Sequence, residues 1–188
     1  MRIIAGKYKH RRFDVPHTFK ARPTTDFAKE GLFNILQNTY IDFTTAPRAL
    51  DLFCGTGSIS LELLSRGCGK VVSIEKDYQH YQFISKVCRT LGDKNWIPLH
   101  ADVFKYLSKK QQINLTAQNN GEYDIIFADP PYALTDFDTI PEKVLEVNLL
   151  SPDGLFILEH SKTYDFSNNP HFIDHRTYGS VNFTFFKA

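Results

Sequence analysis

The sequence predicts an α/β protein with a doubly wound, mostly parallel, Rossmann-like sheet of seven strands. Three observations predict this class. From residue 49 onward, short apolar runs alternate with helix-forming segments, which is the pattern of repeated β–α units. The first apolar run ends in a turn with two glycines, Cys54-Gly55-Thr56-Gly57, that leads directly into a helix-forming segment. The last two runs are separated by Gly179-Ser180, a hairpin signal, so the sheet should end in an antiparallel pair.

Length and composition favour a cytoplasmic protein with one main domain. The chain has 188 residues, and its apolar fraction of 42% includes 16 phenylalanines, which is enough to build a core. No apolar run approaches the length of a membrane span, and no signal-peptide core opens the chain. The three cysteines are odd in number and show no paired spacing, which favours a reducing compartment.

Basic charge is concentrated in the first 22 residues. They hold seven Lys and Arg residues against one Asp, a net charge of +6, whereas the whole chain has a net charge of +1. Residues 1–15 are interpreted as two short strands that turn near residues 6–10, with basic side chains facing water. We expect residues 1–22 to form a basic β-hairpin extension that contacts an anionic partner, most simply nucleic acid, and residues 23–188 to form the main domain. An exposed edge hairpin protected by its charges is the alternative.

The remaining elements come in chain order. Residues 22–25 should be extended, because a residue before proline is steered away from helix, and Thr24 or Thr25 should cap a helix over residues 26–40. Gly31 within that helix indicates close packing of a neighbour. Strands are predicted at residues 49–53, 71–75, 96–100, 123–128, 155–159, 172–178 and 181–186. Helices are predicted at residues 58–66, 77–91, 102–106 and 140–147, a surface loop at residues 111–121, and a turn at residues 151–154.

The first strand and its glycine turn have the form of a site for an adenosine-containing cofactor. Glycines permit positive φ and let a ligand approach the backbone with no Cβ in the way, and the helix after the turn presents N–H groups. Glu75 ends the next apolar run, twenty positions after Gly55. Doubly wound folds offer a carboxylate to ribose hydroxyls at that place. A tight connection that binds nothing is the alternative for the glycine turn alone.

A second motif, Asp129-Pro130-Pro131-Tyr132, follows the apolar run at residues 125–128 and so belongs to the ligand-binding edge of the sheet. Its chemistry suits an amine on a nucleobase, whose lone pair is delocalised into the ring. The Asp129 carboxylate and the Pro130 carbonyl can accept hydrogen bonds from such an amine, and Tyr132 can stack on the base. The prolines hold the turn rigid, so positioning would make the amine nucleophilic. A structural Asp at a strand end is the alternative.

Together these motifs resemble those of S-adenosylmethionine-dependent methyltransferases. The segment 51–57 is similar to their cofactor loop, and the segment 129–132 is similar to their amino-methylating motif. More narrowly, the chain resembles the RsmD family, which methylates N2 of one guanine in bacterial 16S ribosomal RNA. The segments that carry this resemblance span nearly the whole chain: Arg2-Ile3-Ile4-Ala5-Gly6, Arg22-Pro23-Thr24-Thr25-Asp26, Glu30-Gly31-Leu32-Phe33-Asn34, Glu62-Leu63-Leu64-Ser65-Arg66-Gly67 and Tyr178-Gly179. Lys29 stands where the family usually has Arg, and Ser60 where it usually has Gly.

The resemblance implies an enzyme that transfers a methyl group from S-adenosyl-L-methionine to the exocyclic N2 of a specific guanine in 16S rRNA. The residues implied in catalysis are Asp129, Pro130, Pro131 and Tyr132. The residues implied in cofactor binding are Arg22, Thr24, Asp51, Phe53, Cys54, Gly55, Thr56, Gly57, Glu75, Lys76, Asp102 and Val103. Among these, Glu75 would bind the ribose hydroxyls, Asp102 the adenine amino group and Val103 the adenine ring.

The same resemblance implies that the partner is 16S ribosomal RNA or the small ribosomal subunit. The hairpin residues expected to contact RNA phosphates are Arg2, Lys7, Lys9, Arg11 and Arg12. We expect a monomer that uses neither a membrane nor a metal. His171 and His175 are the closest pair of potential zinc ligands, but no Cys or carboxylate completes a set.

Other functions stay open from the sequence. An N6-adenine DNA methyltransferase, or another nucleic-acid amino-methyltransferase, would use the same motifs, although the chain shows no separate DNA-recognition domain. An NAD-dependent oxidoreductase shares the glycine turn and Glu75 but leaves the motif at residues 129–132 without a role. A catalytically silent RNA-binding module would use only the basic extension. Asp102 also fits an ordinary helix N-cap.

Overall fold

A twisted seven-stranded sheet forms the centre of the fold. The computed structural model describes residues 1–19, 25–117 and 123–187. In this part of the chain the strands are β1 (Arg48–Leu52), β2 (Lys70–Glu75), β3 (Trp96–His100), β4 (Tyr123–Ala128), β5 (Leu150–His160), β6 (Phe172–Tyr178) and β7 (Val181–Lys187). The α-helices are α1 (Asp26–Ile35), α2 (Ser58–Arg66), α3 (Tyr78–Leu91), α4 (Val103–Ala117) and α5 (Ile140–Leu145).

The strand order across the sheet is β3-β2-β1-β4-β5-β7-β6. The first five strands in that order run parallel, and β7 pairs antiparallel with both β5 and β6. The order reverses direction between β1 and β4, and sheets of this type bind ligands in the crevice at that point. The predicted fold class, including the antiparallel pair at the C-terminus, is therefore confirmed.

Alternation along the buried strands builds a core on each face of the sheet. On one face, α1, α2 and α3 cover a cluster that includes Leu32, Leu64, Val71, Ile84, Phe127, Ile157 and Phe183. On the other face, α4 and α5 cover a cluster that includes Leu52, Ile74, Val103, Leu107, Ile126, Val144 and Phe156. Because the central strands are buried on both faces, they read as continuous apolar runs in the sequence.

The helix before the sheet begins where the sequence predicts. The Thr25 hydroxyl caps α1 by accepting from the backbone N–H of Ala28 (3.2 Å), and a π-helical segment, Leu36–Tyr40, continues α1 to the predicted end. Gly31 explains how the C-terminal hairpin packs on this helix. A Cβ at Gly31 would lie 2.1 Å from a ring carbon of Tyr178, so only glycine leaves room for that ring.

The N-terminal arm, residues 1–13, folds back on itself as a short antiparallel pair and packs against α2. Within these residues the structure shows an antiparallel bridge between Arg2 and Arg12, with backbone hydrogen bonds from Met1 to Phe13 and from Ile3 to Arg11 on either side, so the predicted pairing is present but is limited to this short stretch. After Ile3 the backbone leaves this pair, and the N–H groups of Ile4 and Ala5 donate to the carboxylate of Glu62 (2.8 and 3.0 Å). These donors satisfy a buried side chain on α2 and so attach the arm to the main domain.

A buried charge network lies beneath this arm. Glu62 is fully buried, and its carboxylate accepts from Arg66 Nε at 2.9 Å and lies 3.9 Å from Lys29 Nζ. Lys29 Nζ also donates to the Arg2 carbonyl (2.6 Å) and to the Ser58 hydroxyl (3.0 Å). Burial lowers the pKa of Lys29, while the Glu62 charge acts against that shift. The lysine that departs from the family pattern is therefore fully accommodated, with its ammonium bound to oxygens on two sides.

Two predictions about local structure are wrong. Helix α4 continues to Ala117, so the loop predicted for residues 111–121 is helical through residue 117, and residues 118–122 lie outside the described residues. Gln, Leu and Ala in this segment are good helix formers and no Gly or Pro interrupts it before Gly121, so its polarity was a poor guide.

Strand β5 begins at Leu150 instead of residue 155. The predicted turn at residues 151–154 lies inside it as an irregularity, because the partners of β4 jump from Leu150 to Leu155. The predicted helix over residues 140–147 is the shorter α5. No helix in the described ranges is long and apolar enough to cross a membrane.

The close approach of the arm to α2 makes a testable prediction at Gly6. Gly6 and Gly92 both have positive φ (80° and 66°), but a Cβ at Gly6 would lie 1.9 Å from the Ser65 carbonyl oxygen, whereas Gly92 has open space. Gly92→Ala should cost about 1 kcal/mol of unfolding free energy from backbone strain alone. Gly6→Ala should cost clearly more, measured by urea denaturation of both variants. Equal losses would mean that the arm does not pack as tightly as described.

Candidate active site

A cleft of about 1600 Å³ opens at the carboxyl ends of β1, β2, β4 and β5. It lies where the strand order reverses, which is the position expected for a ligand in this topology. The predicted cofactor and catalytic residues that line it are Asp51, Phe53, Cys54, Gly55, Thr56, Glu75, Lys76, Asp102, Val103, Asp129, Pro130, Pro131 and Tyr132. Gly57 lies beside it as the N-cap of α2, while Arg22 and Thr24 lie outside the described residues.

The turn between β1 and α2 reverses the chain through three residues with positive φ. Gly55 and Gly57 have φ of 53° and 74°, as their identity predicts. Phe53 also has positive φ (59°), so β1 ends at Leu52 and not at Phe53 as predicted. Such a conformation is costly for a residue with a Cβ and is typical of functional sites. The Phe53 ring makes an edge contact with Phe104, with centroids 6.0 Å apart, and this pair forms an apolar wall of the cleft.

Asp51 anchors this turn from within the sheet. Its buried carboxylate accepts from both the backbone N–H and the hydroxyl of Ser60, and so supplies the acceptor that the glycine cap of α2 lacks. The Ser60 hydroxyl also contacts the Ser73 hydroxyl at 2.6 Å, and Ser73 accepts from Trp96 Nε1 at 2.7 Å. Burial raises the pKa of Asp51 to about 7, against the opposing effect of the Ser60 hydrogen bonds. Ser60, at the position where the resembled family usually has glycine, therefore takes part in a hydrogen-bonded chain that joins four elements: β1, α2, β2 and β3.

Glu75 and Asp102 fix the tips of β2 and β3. The Glu75 carboxylate accepts from the backbone N–H groups of Gly55 and Asp77, both at 2.7 Å, so it ties the glycine turn to the end of β2. Asp102 caps α4 by accepting from Phe104 N at 3.0 Å, as its helix-cap interpretation predicts. Its other oxygen lies 2.9 Å from Lys76 Nζ, and this hydrogen bond lowers the Asp102 pKa.

Asp129 is held at the tip of β4, next to the end of β1. Its backbone N–H donates to the Leu52 carbonyl at 3.4 Å, which extends the pairing of these strands by one residue. Among the described residues, none donates a hydrogen bond to the Asp129 carboxylate, so its lone pairs are available to a ligand. Removal from water raises the Asp129 pKa well above the usual range, and the charges of Glu159 and Asp51 add to the shift. Tyr132 in the same turn is half exposed, with 51% of its surface accessible.

The cleft also contains residues that sequence reasoning missed. They come from the tip of β5 and from the C-terminal hairpin: Glu159, Ser161, Lys162, Thr163, Thr177 and Asn182. Glu159 could have been found, because it ends a predicted parallel strand, just as Glu75 does. Thr177 and Asn182 lie on antiparallel strands. The rule that ligands bind at the carboxyl ends of parallel strands does not apply to them. They bond to each other, with the Thr177 hydroxyl 2.9 Å from Asn182 Oδ1.

The basic residues predicted to contact RNA are all exposed: Arg2, Lys7, Lys9, Arg11 and Arg12. They do not lie at one place. Arg2 pairs with Asp26 at the start of α1 (3.1 Å), beside Thr25, which lines the cleft. Lys7 pairs with Asp93 (2.6 Å). Asp93 comes just before β3, so it lies at the amino ends of the parallel strands, on the side of the sheet away from the cleft. The arm therefore runs from the mouth of the cleft, along α2, to the amino ends of the parallel strands.

Comparison with known proteins gives concordant matches. Residues 1–187 match the model of a family described as conserved hypothetical protein 95. Ribosomal RNA small subunit methyltransferase D of Buchnera aphidicola subsp. Baizongia pistaciae is 31% identical over 163 residues, which cover 87% of this chain and 77% of the relative. The structure of the Thermus thermophilus hypothetical protein TTHA0928 superposes with a TM-score of 0.83 at 26% identity, over 100% of this chain and 99% of the other.

A more distant structure shares the fold. The 16S rRNA N2 G1207 methyltransferase RsmC of Thermus thermophilus, solved with AdoMet and guanosine, superposes with a TM-score of 0.64 at 20% identity. The superposition covers 92% of this chain and 46% of that protein. At this identity the likeness concerns the arrangement of strands and helices.

Asp51 makes a testable prediction about stability and pH. Its pKa is about 7 in the folded protein, whereas an aspartate in an unfolded chain titrates near pH 4. Between these values the folded state holds the extra proton, so the unfolding free energy should fall as pH rises, by at most about 1.4 kcal/mol per pH unit. Asp51→Asn removes this component and should flatten the dependence, measured by urea denaturation from about pH 4 to about pH 7.

Asp153→Asn is the matched control, because Asp153 is exposed on β5. This variant should keep the wild-type dependence on pH. A wild-type slope in Asp51→Asn would show that Asp51 does not bind its proton more tightly in the folded state.

Proposed function

This chain belongs to the RsmD family of S-adenosylmethionine-dependent methyltransferases, and on that premise we propose that it methylates the exocyclic N2 of a guanine in 16S ribosomal RNA. The observation that carries the proposal is the position of the motif at residues 129–132 beside the glycine turn. Leu52 and Ala128 are register partners in parallel strands, so the turn after β1 and the motif after β4 leave the sheet side by side.

The residues around the glycine turn suit the cofactor. A Cβ added at Gly55 would meet nothing closer than 4.0 Å, so the turn has open space beside it for a ligand. Glu75 offers a carboxylate at the tip of β2, and Val103 with the Phe53–Phe104 pair offers apolar surface for a base. When bound, S-adenosylmethionine supplies an electrophilic methyl group on a sulfonium. S-adenosylmethionine carries this positive charge, so the acidic character of the cleft favours its binding.

Asp129 and Pro130 would prepare the amine. The N2 of guanine is a poor nucleophile because its lone pair is delocalised into the ring. Hydrogen bonds from its two N–H groups to the Asp129 carboxylate and the Pro130 carbonyl hold the nitrogen in a more tetrahedral geometry. The rigid Pro130-Pro131 turn fixes these acceptors before the base arrives, so little reorganisation remains at the moment of reaction. Tyr132, half exposed in the same turn, offers a ring for stacking on the base.

The competing functions explain less of the site. An oxidoreductase would use the glycine turn and Glu75 but would leave the acceptors at residues 129–132 idle. A silent RNA-binding module needs no cleft at all. A DNA adenine methyltransferase remains chemically close, and the rRNA substrate in the name of the Buchnera relative favours RNA. We propose that the protein acts as a monomer, and an rRNA substrate implies action in the cytoplasm.

Asp129→Ala tests the assigned chemistry. Loss of the carboxylate should reduce methyl transfer by at least about 100-fold, which is typical for removal of one preorganised group, while cofactor affinity stays within about threefold. The measurements are transfer of labelled methyl to small ribosomal subunits from cells that lack the gene, and calorimetric titration with S-adenosylmethionine. The modified base is then identified by nucleoside mass spectrometry.

Asp153→Asn again serves as the control and should transfer methyl at the wild-type rate. Unimpaired turnover in Asp129→Ala would remove Asp129 from the mechanism. Appearance of N6-methyladenine, or no methylation of RNA by the wild-type protein, would overturn the proposed function.

The basic arm makes a separate prediction about RNA binding. Neutralising the exposed pair as Arg11→Gln/Arg12→Gln should weaken RNA binding and lower the slope of log Kd against log salt by about 0.7 for each phosphate that the arm no longer neutralises. The measurement is a fluorescence anisotropy titration of a 16S RNA fragment at several salt concentrations. Lys70→Gln is the control, since Lys70 is exposed at the start of β2, away from the cleft. An unchanged slope in the double variant would exclude this pair as phosphate contacts.

A further inference from the structure

The tips of β4 and β5 place two carboxylates next to each other. Ala128 and Leu158 are register partners in these parallel strands, so the next residues, Asp129 and Glu159, follow side by side. Neighbouring strands lie about 4.8 Å apart. Side chains two positions apart share a face, so Asp129 and Glu159 lie on the face of Phe127 and Ile157, which α1, α2 and α3 cover.

Glu159 belongs to the cleft and is otherwise withdrawn from solvent. It is 4% exposed, and it lines the same cleft as Asp129, Pro130 and Tyr132. Its charge is also the largest electrostatic influence on Asp129 after burial itself. Activation of an amine by the motif at residues 129–132 requires acceptors from that motif only. The second carboxylate at its side therefore adds an acceptor for a further donor on the same ligand.

Guanine supplies such a donor immediately beside the reacting amine. Its Watson–Crick edge presents N1–H next to N2–H₂, so two adjacent acceptors on the protein match two adjacent donors on the base. Adenine presents its N6 amine next to N1, which is an acceptor. A carboxylate facing N1 of adenine would meet a lone pair, and the two acceptors could not bond to each other.

We propose that Glu159 selects guanine by accepting the hydrogen bond from N1–H of the target base while Asp129 accepts from the adjacent N2 amine. This inference rests on the proposed function and adds a specificity determinant to it. A site that is built to bond one polar group rejects an analogue that lacks the group far more strongly than an apolar pocket rejects a change of size. Glu159 therefore distinguishes guanine from other bases that carry an amine at the same position.

The test uses 2-aminopurine, which keeps the N2 amine but has a lone pair instead of a hydrogen at N1. Small ribosomal subunits are reconstituted with 16S RNA that carries either base at the methylated position, and kcat/KM is measured for both. The wild-type enzyme should prefer guanine by at least about 100-fold. In Glu159→Gln the preference should fall at least about tenfold, because the amide can donate to N1 of 2-aminopurine.

Glu146→Gln is the matched control, since Glu146 lies at the end of α5, outside the cleft, and it should keep the wild-type preference. The loss of O6 in 2-aminopurine affects all three enzymes equally, so the change in preference reports on residue 159. An unchanged preference in Glu159→Gln with normal guanine methylation would overturn this inference alone. Equal use of both bases by the wild-type enzyme would overturn it without reference to any variant. Absence of guanine methylation by the wild type would overturn the proposed function as well.

Discussion

The pairing of β1 with β4 is the constraint on which the site depends. Because Leu52 and Ala128 are opposite each other, the backbone after each strand emerges on the same edge at a fixed spacing. One tip carries a turn that opens space for a ligand, and the other carries a rigid array of acceptors. Neither segment has a defined function without the other. Their separation is set by backbone hydrogen bonds in the centre of the sheet, which are among the least deformable contacts of the fold.

The cleft places several acidic groups close together, and its apolar surroundings disfavour their charged forms. Asp51, Asp129 and Glu159 lie on one face of the sheet. Burial raises the pKa of both aspartates, the Glu75 charge adds to the shift of Asp51, and the charges of Glu159 and Asp51 add to the shift of Asp129. Such a site is unfavourable for the empty protein at neutral pH. It becomes favourable when a positively charged cofactor and the donor edge of a base enter, because both relieve the repulsion. The repulsion that destabilises the empty protein is relieved in the complex, so it contributes to the affinity for the proposed ligands.

Much of the fold could be predicted because its central strands are buried on both faces and its helices begin at caps. Helix α2 matches its predicted bounds, Thr25 caps α1, and the antiparallel hairpin turns at Gly179 as expected. Errors arose where tertiary contacts override local pattern. The antiparallel pair of the arm stays short and its next two N–H groups donate to Glu62, and Phe53 adopts a left-handed conformation that its residue type disfavours. Glu159 was missed because it belongs to no motif of known spacing, and its only signal is its place at the end of a parallel strand.

The attachment of the arm to Glu62 has a consequence for how the protein is made. Ile4 leaves the translating ribosome 58 residues ahead of its partner on α2. Until α2 has been synthesised and folded onto β1, the arm has nowhere to bind, and the Glu62 carboxylate in turn lacks two of its hydrogen-bond donors until the arm returns. The first residues synthesised are therefore among the later ones to settle, and docking of the arm completes a core that the rest of the chain has already assembled.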